Sequence, residues 1–309
     1  MVAQLARSSP FPLFPLADQA AALTLQCLAP KSLKSYNKTL NQFYAFLITL
    51  HPGYNPFPVN SSHISLYVTR LFNQGLAGST ITSRMSAISF AFKLFKKSDP
   101  VDDFGVKCLL KSIRKARPQK DSRLPLLPAI LHDILLKVPQ LGFTYYDQIL
   151  FKSMLSLAFV AFLRPGEITG DTHNLQKQDV MIFGTTVVIC FSHYKYSNGT
   201  PFTLYVEATD SQFCPVKLLL EYLRLRGPCV GPLFCSLGGK PISYCHFKNM
   251  FKSALVRVGV RGQMSPHSIR IGAATQAAAS GLSDCVIQQL GRWRSTAHRN
   301  YVRLPSLQV

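Results

Sequence analysis

Four short stretches in the second half of this sequence set a cation or a nucleophile among residues that are otherwise apolar or tightly turned. In "AFLRPGEIT", Arg164 ends an apolar helical run and Glu167 follows three residues later. A guanidinium at the end of a buried helix is costly unless it is paired or holds an anion, so Glu167 either closes the turn as an ion pair or orients Arg164 toward a phosphate. In "FSHYKYSNGT", Lys195 falls in a turn between two expected strands, where a lysine is ordinarily solvated unless something lies opposite it. In "SPHSIRIGAATQAAASG", His267 and Arg270 stand at i and i+3 on one helical face. The small residues after them keep the helix slim, so that something can approach closely. In "LGRWRSTAHRNYVR", Tyr301 sits in a short basic helix with Arg292, Arg294, Arg299 and Arg303. A phenol with an ordinary pKa of about 10 becomes a useful nucleophile only where cations stabilise its phenolate and the charge developing on the substrate.

Together these residues describe phosphoryl transfer without a metal. Arg164 and Arg270 would clamp the non-bridging oxygens of a phosphodiester, and preorganised cationic donors of this kind supply a large catalytic effect. His267 would donate or accept a proton, Lys195 would protonate the departing oxygen, and Tyr301 would attack phosphorus. The chain has only 14 acidic residues and no evident carboxylate triad, which argues against a two-metal nuclease or transposase. Its eight cysteines form no C-x-x-C pair, which argues against a zinc finger, and they read as reduced thiols.

The elements that must position these side chains follow from patterning. The 309 residues, 47% of them hydrophobic, suffice for two compact domains. The net charge of +20 is spread along the whole chain and calls for a polyanionic partner, nucleic acid first. The longest apolar run, "MLSLAFVAFL" at 154–163, is too short for a bilayer crossing, and no membrane partner is expected. Residues 1–25 read as a flexible leader. From 31 to 113, within an expected helical domain at 26–116, the apolar spacing is helical: Leu33, Tyr36, Leu40, Phe43 and Leu47 share one stripe, and Ile81, Met85, Ile88, Phe92 and Phe95 another. A small helical bundle with lysines and arginines outside is expected there. The run "KSIRKARPQKDSRLPLLP" at 111–128 carries Lys111, Arg114, Lys115, Arg117, Lys120 and Arg123 with three prolines, and reads as a basic linker, with the domain boundary at 117–128, that is either a solvated connector or lies along a phosphate backbone. From 129 to 309 the pattern predicts a mainly helical domain with a small antiparallel sheet. "DVMIFGTTVVICF" turns at Gly184, and "FTLYVEA" supplies a further strand.

Arg164 with Glu167, Lys195 in its hairpin, His267-x-x-Arg270, the "LGRW" element at 290–293 and Tyr301 occur in the order of the tyrosine recombinase (phage integrase) signature. The chain resembles that family across 164–301. By spacing to Tyr301, the family's His or Trp position falls on Arg292, with Trp293 one residue later; either could serve. The wording of "AFLRPGEIT", "CPVKLLLEYL", "GPLF", "HSIRIGAATQAAASG" and "LGRWRS" looks most like the recombinases of DIRS-like retrotransposons and Cryptons. The resemblance implies a SAM-like helical core-binding domain, an α+β catalytic domain and a C-shaped clamp around double-stranded DNA, with the basic linker crossing the backbone. It implies cleavage of one strand at a time through a 3′-phosphotyrosine, with a free 5′-hydroxyl and religation to a different strand. It also implies a homodimer on each site, a homotetramer in synapsis, no cofactor, metal or ATP, and a nuclear location if the element is eukaryotic. Many relatives carry a helix beyond the tyrosine that docks on a neighbouring subunit; eight residues follow Tyr301. Two rival expectations are a DNA-binding protein of mobile-element origin without productive chemistry, and a type IB topoisomerase acting as a monomer.

Overall fold

The computed structural model describes residues 23–24, 26–50, 58–118, 121–170, 174–192, 194 and 199–303; nearly all of the expected leader, together with Lys120 and Lys195, lies outside the described residues. The chain divides into two compact units, 1–121 and 122–309.

The described residues of the first unit form a bundle of four helices: α1 (Pro30–Leu50), α2 (Ser61–Asn73), α3 (Gly78–Leu94) and α4 (Phe104–Ala116). Its core is the inward stripe of each helix, with Leu40, Phe43 and Leu47 from α1, Ile64, Tyr67 and Leu71 from α2, and Ile81, Met85 and Ile88 from α3. A reciprocal cap opens α2: Asn60 Oδ1 accepts from the His63 amide at 3.2 Å, and His63 Nδ1 accepts from the Asn60 amide at 3.2 Å. At the boundary with the basic run, Lys111, Arg114 and Lys115 belong to α4, within the helical domain expected at 26–116, although they open the run read as a linker. Asp103 caps the helix by accepting from the Val106 amide at 3.2 Å, and Val106 and Ile113 enter the core on the face away from the charges. That apolar stripe is thin enough to be hidden among the charges. Within this unit Arg114 donates to the Thr82 hydroxyl at 3.2 Å, and Arg117 donates to the Phe72 carbonyl at 3.0 Å while stacking 4.0 Å from the Phe72 ring centre.

The second unit is built around α6 (Tyr145–Val160), which buries residues on every side, as a central helix must. Before it come α5 (Pro128–Lys137) and a 3₁₀ turn (Val138–Leu141); after it come the single turn α7 (Pro165–Ile168) and a 3₁₀ turn at Lys177–Asp179. Three antiparallel strands follow in the order β1 (Val180–Phe183), β2 (Thr186–Phe191) and β3 (Phe202–Glu207). Val180 pairs with Ile189, Ile189 with Leu204, and Gly184 turns the first hairpin with φ +57°. Val187, Ile189, Phe191, Leu204 and Val206 put one face of the sheet into the core. Then come α8 (Pro215–Arg226), α9 (Tyr244–Arg257), α10 (His267–Ala279), α11 (Asp284–Leu290) and a final 3₁₀ turn (Thr296–Asn300), in place of the last helix expected from the sequence. α8 and α10 pack directly on α6. No helix among the described residues is long and apolar enough to cross a membrane.

The second half of the segment expected as a linker belongs to this unit. Leu124 donates to the Gln263 carbonyl at 3.0 Å and Leu126 to the Ser268 carbonyl at 2.9 Å, with the Leu126 side chain fully buried. What approaches the small residues of α10 is therefore protein. A methyl at Gly272 would run into the Leu126 backbone, while Ala273, Ala274 and Ala277 pack with Phe162 and Ile287.

Candidate active site

The site assembles on the carboxyl end of α6, where unpaired helix carbonyls attract cations. Phe162 turns the chain with φ +49°, and Arg164 then opens α7. Glu167 reaches back across that turn: its Oε2 accepts from the Arg164 amide at 2.8 Å, and its Oε1 accepts from Arg164 Nη1 at 2.9 Å. The same carboxylate receives Arg292 Nη2 at 2.6 Å. Arg292 follows α11 with φ +53°, a left-handed conformation that turns its side chain inward, where it also donates to the carbonyls of Ala161 and Phe162 at 3.4 Å. Its own carbonyl accepts from Arg164 Nη2 at 3.3 Å. Burial opposes ionisation of Glu167, but the Arg292 and Arg164 guanidiniums, the Arg164 amide and the nearby Arg270 outweigh it and hold the carboxyl below its ordinary pKa.

Arg270 projects from the first turn of α10 into the same place and is fully buried. Its Nη1 donates to the Phe162 carbonyl and its Nη2 to the Gly291 carbonyl; its Nε has no hydrogen-bond partner among the described residues. Trp293 covers the guanidinium, with the ring centre 4.1 Å away, and the Tyr301 ring lies at 5.7 Å. Gly291 permits that cover, since a methyl there would collide with the Trp293 indole. Burial and the charges of Arg164 and Arg292 depress the Arg270 pKa well below its ordinary value, with Glu167 and Tyr301 only partly opposing them. Burial likewise lowers Arg292, against the pull of Glu167. Arg164 and Arg292 share the Glu167 carboxylate and Arg270 lies near it, so that among the described residues the guanidiniums of this centre outnumber its carboxylates.

The Tyr301 hydroxyl stands 3.1 Å from His267 Nε2, and the Tyr301 and Trp293 rings lie 4.9 Å apart. The tyrosine is held by its backbone. Thr275 donates its hydroxyl to the Tyr301 carbonyl at 3.2 Å and accepts from the Arg303 amide at 3.0 Å. Ahead of it, buried His298 places Nε2 3.5 Å from the Asp284 carboxylate, which Arg299 Nε also reaches at 2.9 Å. The hydrogen bond from Arg299 chiefly lowers the Asp284 pKa, tying the tyrosine-bearing turn to the start of α11.

Arg164, Glu167, His267, Arg270, Arg292, Trp293 and Tyr301 thus meet in one place. Lys195 lies outside the described residues, in the segment joining β2 to β3; the ends of those strands border the site, with the Phe191 and Phe202 ring centres 4.0 and 5.9 Å from the Arg292 guanidinium. Lys111, Arg114, Lys115 and Arg117 belong to the first unit, and half-buried Arg123 to the second. Sequence reasoning did not single out Thr275 or His298, nor the double engagement of Glu167. The only signal was a threonine among the alanines of α10 and a histidine three residues before Tyr301. Among the described residues no group of three His, Cys, Asp or Glu side chains gathers as metal ligands would.

In fold the chain is similar to the XerH site-specific recombinase bound to a palindromic difH substrate (TM-score 0.68, 14% identity, covering 89% of this chain and 76% of that one). It is likewise similar to a lambda integrase dimer bound to a COC′ core site (0.64, 15%, 93% and 75%) and to the Tn1549 transposon integrase in complex with a circular intermediate DNA (0.63, 15%, 94% and 95%). No curated protein matches the sequence. The model of the phage integrase family matches residues 140–305, more than half of the chain and every residue of the cluster around Tyr301, and on that match the chain belongs to the phage integrase family.

Proposed function

We propose that this protein is a site-specific DNA recombinase that cleaves and rejoins duplex strands through a tyrosyl phosphodiester. The observation that carries the reading is the Tyr301 hydroxyl at 3.1 Å from His267 Nε2, on a site where Arg164 and Arg270 converge with, among the described residues, too few carboxylates to neutralise them. A phosphodiester supplies the missing negative charge. Tyr301 gives its proton to His267 as its oxygen attacks phosphorus, the bond from phosphorus to the 5′ oxygen breaks, and Lys195 delivers a proton to that oxygen. Arg164 and Arg270 hold the non-bridging oxygens. The bond energy is kept in the phosphotyrosine, so a 5′-hydroxyl from another strand reverses the step without ATP or metal. Because the Trp293 and Tyr301 rings cover Arg270, the phosphate reaches that guanidinium only as those rings shift.

The charge of +20 supports double-stranded DNA as partner, with the first unit as the core-binding domain and Lys111, Arg114, Lys115, Arg117, Lys120 and Arg123 on the backbone. Lambda integrase is described as a dimer on a core site and as a tetramer on a Holliday junction, and the same assemblies are proposed here. The wording of the motifs supports a DIRS-like or Crypton-like mobile element, and hence a nuclear location. The test is to incubate the protein in EDTA with nicked, labelled duplex from the flanks of its element and to look for an SDS-resistant protein–DNA adduct, with Tyr301→Phe in parallel. An adduct lost in the variant is expected. Tight binding with no adduct would turn the reading to a DNA binder without chemistry.

A further inference from the structure

Resting on that reading, we propose that Arg292 is a positioning residue that acts on the scissile phosphate through Arg164, and that its neighbour Trp293 is the side chain of this turn that borders the reacting group. Spacing alone leaves the two equivalent; their surroundings do not. The Arg292 side chain has no exposed surface and spends its terminal donors on Glu167 and on the carbonyls closing α6, with the Phe191 ring centre 4.0 Å from its guanidinium. Trp293, one residue on, faces the opposite way, over Arg270 and against Tyr301. The left-handed backbone at Arg292 is what sends the two side chains apart.

The positioning acts in two ways. The Arg292 carbonyl accepts from Arg164 Nη2 at 3.3 Å and so fixes the plane of that guanidinium. The Arg292 side chain meanwhile competes for Glu167, at 2.6 Å against 2.9 Å for Arg164 Nη1. Bound to Glu167 alone, Arg164 would be a neutral pair; with Glu167 shared, Arg164 keeps charge to offer an anion. Arg164 is also the one of the two that retains side-chain exposure, 18% against none. The charged and titratable groups around the carboxylate are Arg164, Arg292 and Arg270, with the Tyr194 phenol beside Arg292.

The test follows adduct formation on the nicked duplex at neutral pH for wild type, Arg292→Gln, Arg292→Lys, Trp293→Phe, Arg164→Ala and Arg292→Gln combined with Arg164→Ala, with duplex affinity measured alongside. Arg292→Gln should slow adduct formation about 10- to 100-fold, as misplacement of a clamping group does. Duplex affinity should stay within about twofold. Arg292→Lys keeps a cation beside Glu167 and should recover part of the lost rate. Trp293→Phe should lower the rate with affinity kept. In the Arg164→Ala background the Arg292→Gln change should cost less than about twofold more, because it acts through Arg164. Equal loss in the two backgrounds, or a loss of affinity in step with rate, would overturn the proposal and make Arg292 a direct phosphate ligand or a fold residue. If Arg292→Gln does not fold, equal losses for Arg292→Lys in the two backgrounds overturn it instead. Absence of any adduct from the wild type is a different result, the failure of the strand-transfer reading itself.

Discussion

Gly272→Ala sets two physical effects of opposite sign against each other. In an unencumbered helix the change would stabilise by about 1 kcal/mol, since alanine gives up less backbone freedom on folding. In α10 the added Cβ would meet the Leu126 carbonyl oxygen, carbonyl carbon and amide nitrogen at once. None of these is the movable end of a side chain, and the Leu126 amide is already engaged, donating to the Ser268 carbonyl at 2.9 Å. Overpacking of this kind costs about 1–3 kcal/mol, and breaking the backbone bond costs about 1 kcal/mol more. The steric effect wins, and the variant should be less stable by about 1–3 kcal/mol. Urea unfolding followed by far-UV circular dichroism reads the midpoint, and hydrogen exchange reads the Leu126 amide, which should lose protection. A more stable protein with Leu126 still protected would refute the close approach, and with it the account of why α10 is built from such small residues.

Two further outcomes follow from the charges. Affinity for duplex DNA should fall steeply as salt rises, with a log–log slope of about −0.9 per phosphate contacted, measured by fluorescence anisotropy of labelled DNA; a flat response would exclude a phosphate-dominated interface. Glu167 has a depressed folded-state pKa, so its ionisation contributes stability above the unfolded value of about 4.3, and this contribution is lost as pH falls through the lower folded value. Glu167→Gln should accordingly be less stable than wild type at neutral pH, and the gap in melting temperature should close in acid; a gap that widened there would reverse the sign of the argument.

Much of the fold was legible because its signals are local. The Gly184 hairpin, the stop at Gly281 with φ +80° and the Ser283 cap of α11, whose side chain accepts from the Val286 amide at 3.4 Å, each depend on a few adjacent residues. The helix α4 was not recognised through its whole length, because Val106 and Ile113 are its only fully buried hydrophobics amid a run of cations. The members of the site could be named from residue type and order, but their directions could not. Whether Arg292 or Trp293 faces Tyr301 turns on a positive φ that no helical or strand periodicity encodes. That Arg270 lies beneath two aromatic rings depends on contacts between residues 270, 293 and 301, joined by the fold and not by spacing. Lys195 could be named only from its place in the hairpin, and it falls outside the described residues.

Trp293 is the only tryptophan in the chain, and its indole stands 4.9 Å from the Tyr301 ring and 6.3 Å from the His298 ring, directly over Arg270. The protein therefore carries one indole fluorophore, placed at the centre of its cluster of arginines and tyrosine. Light emitted at tryptophan wavelengths reports on that centre and on nothing else in the chain. An anion arriving at Arg270, or the tyrosine leaving its place beside the indole, alters the field and the quenching partners of a single chromophore. Rapid mixing with unlabelled DNA would resolve docking from the covalent step as successive changes in one optical signal, with Tyr301→Phe retaining only the first.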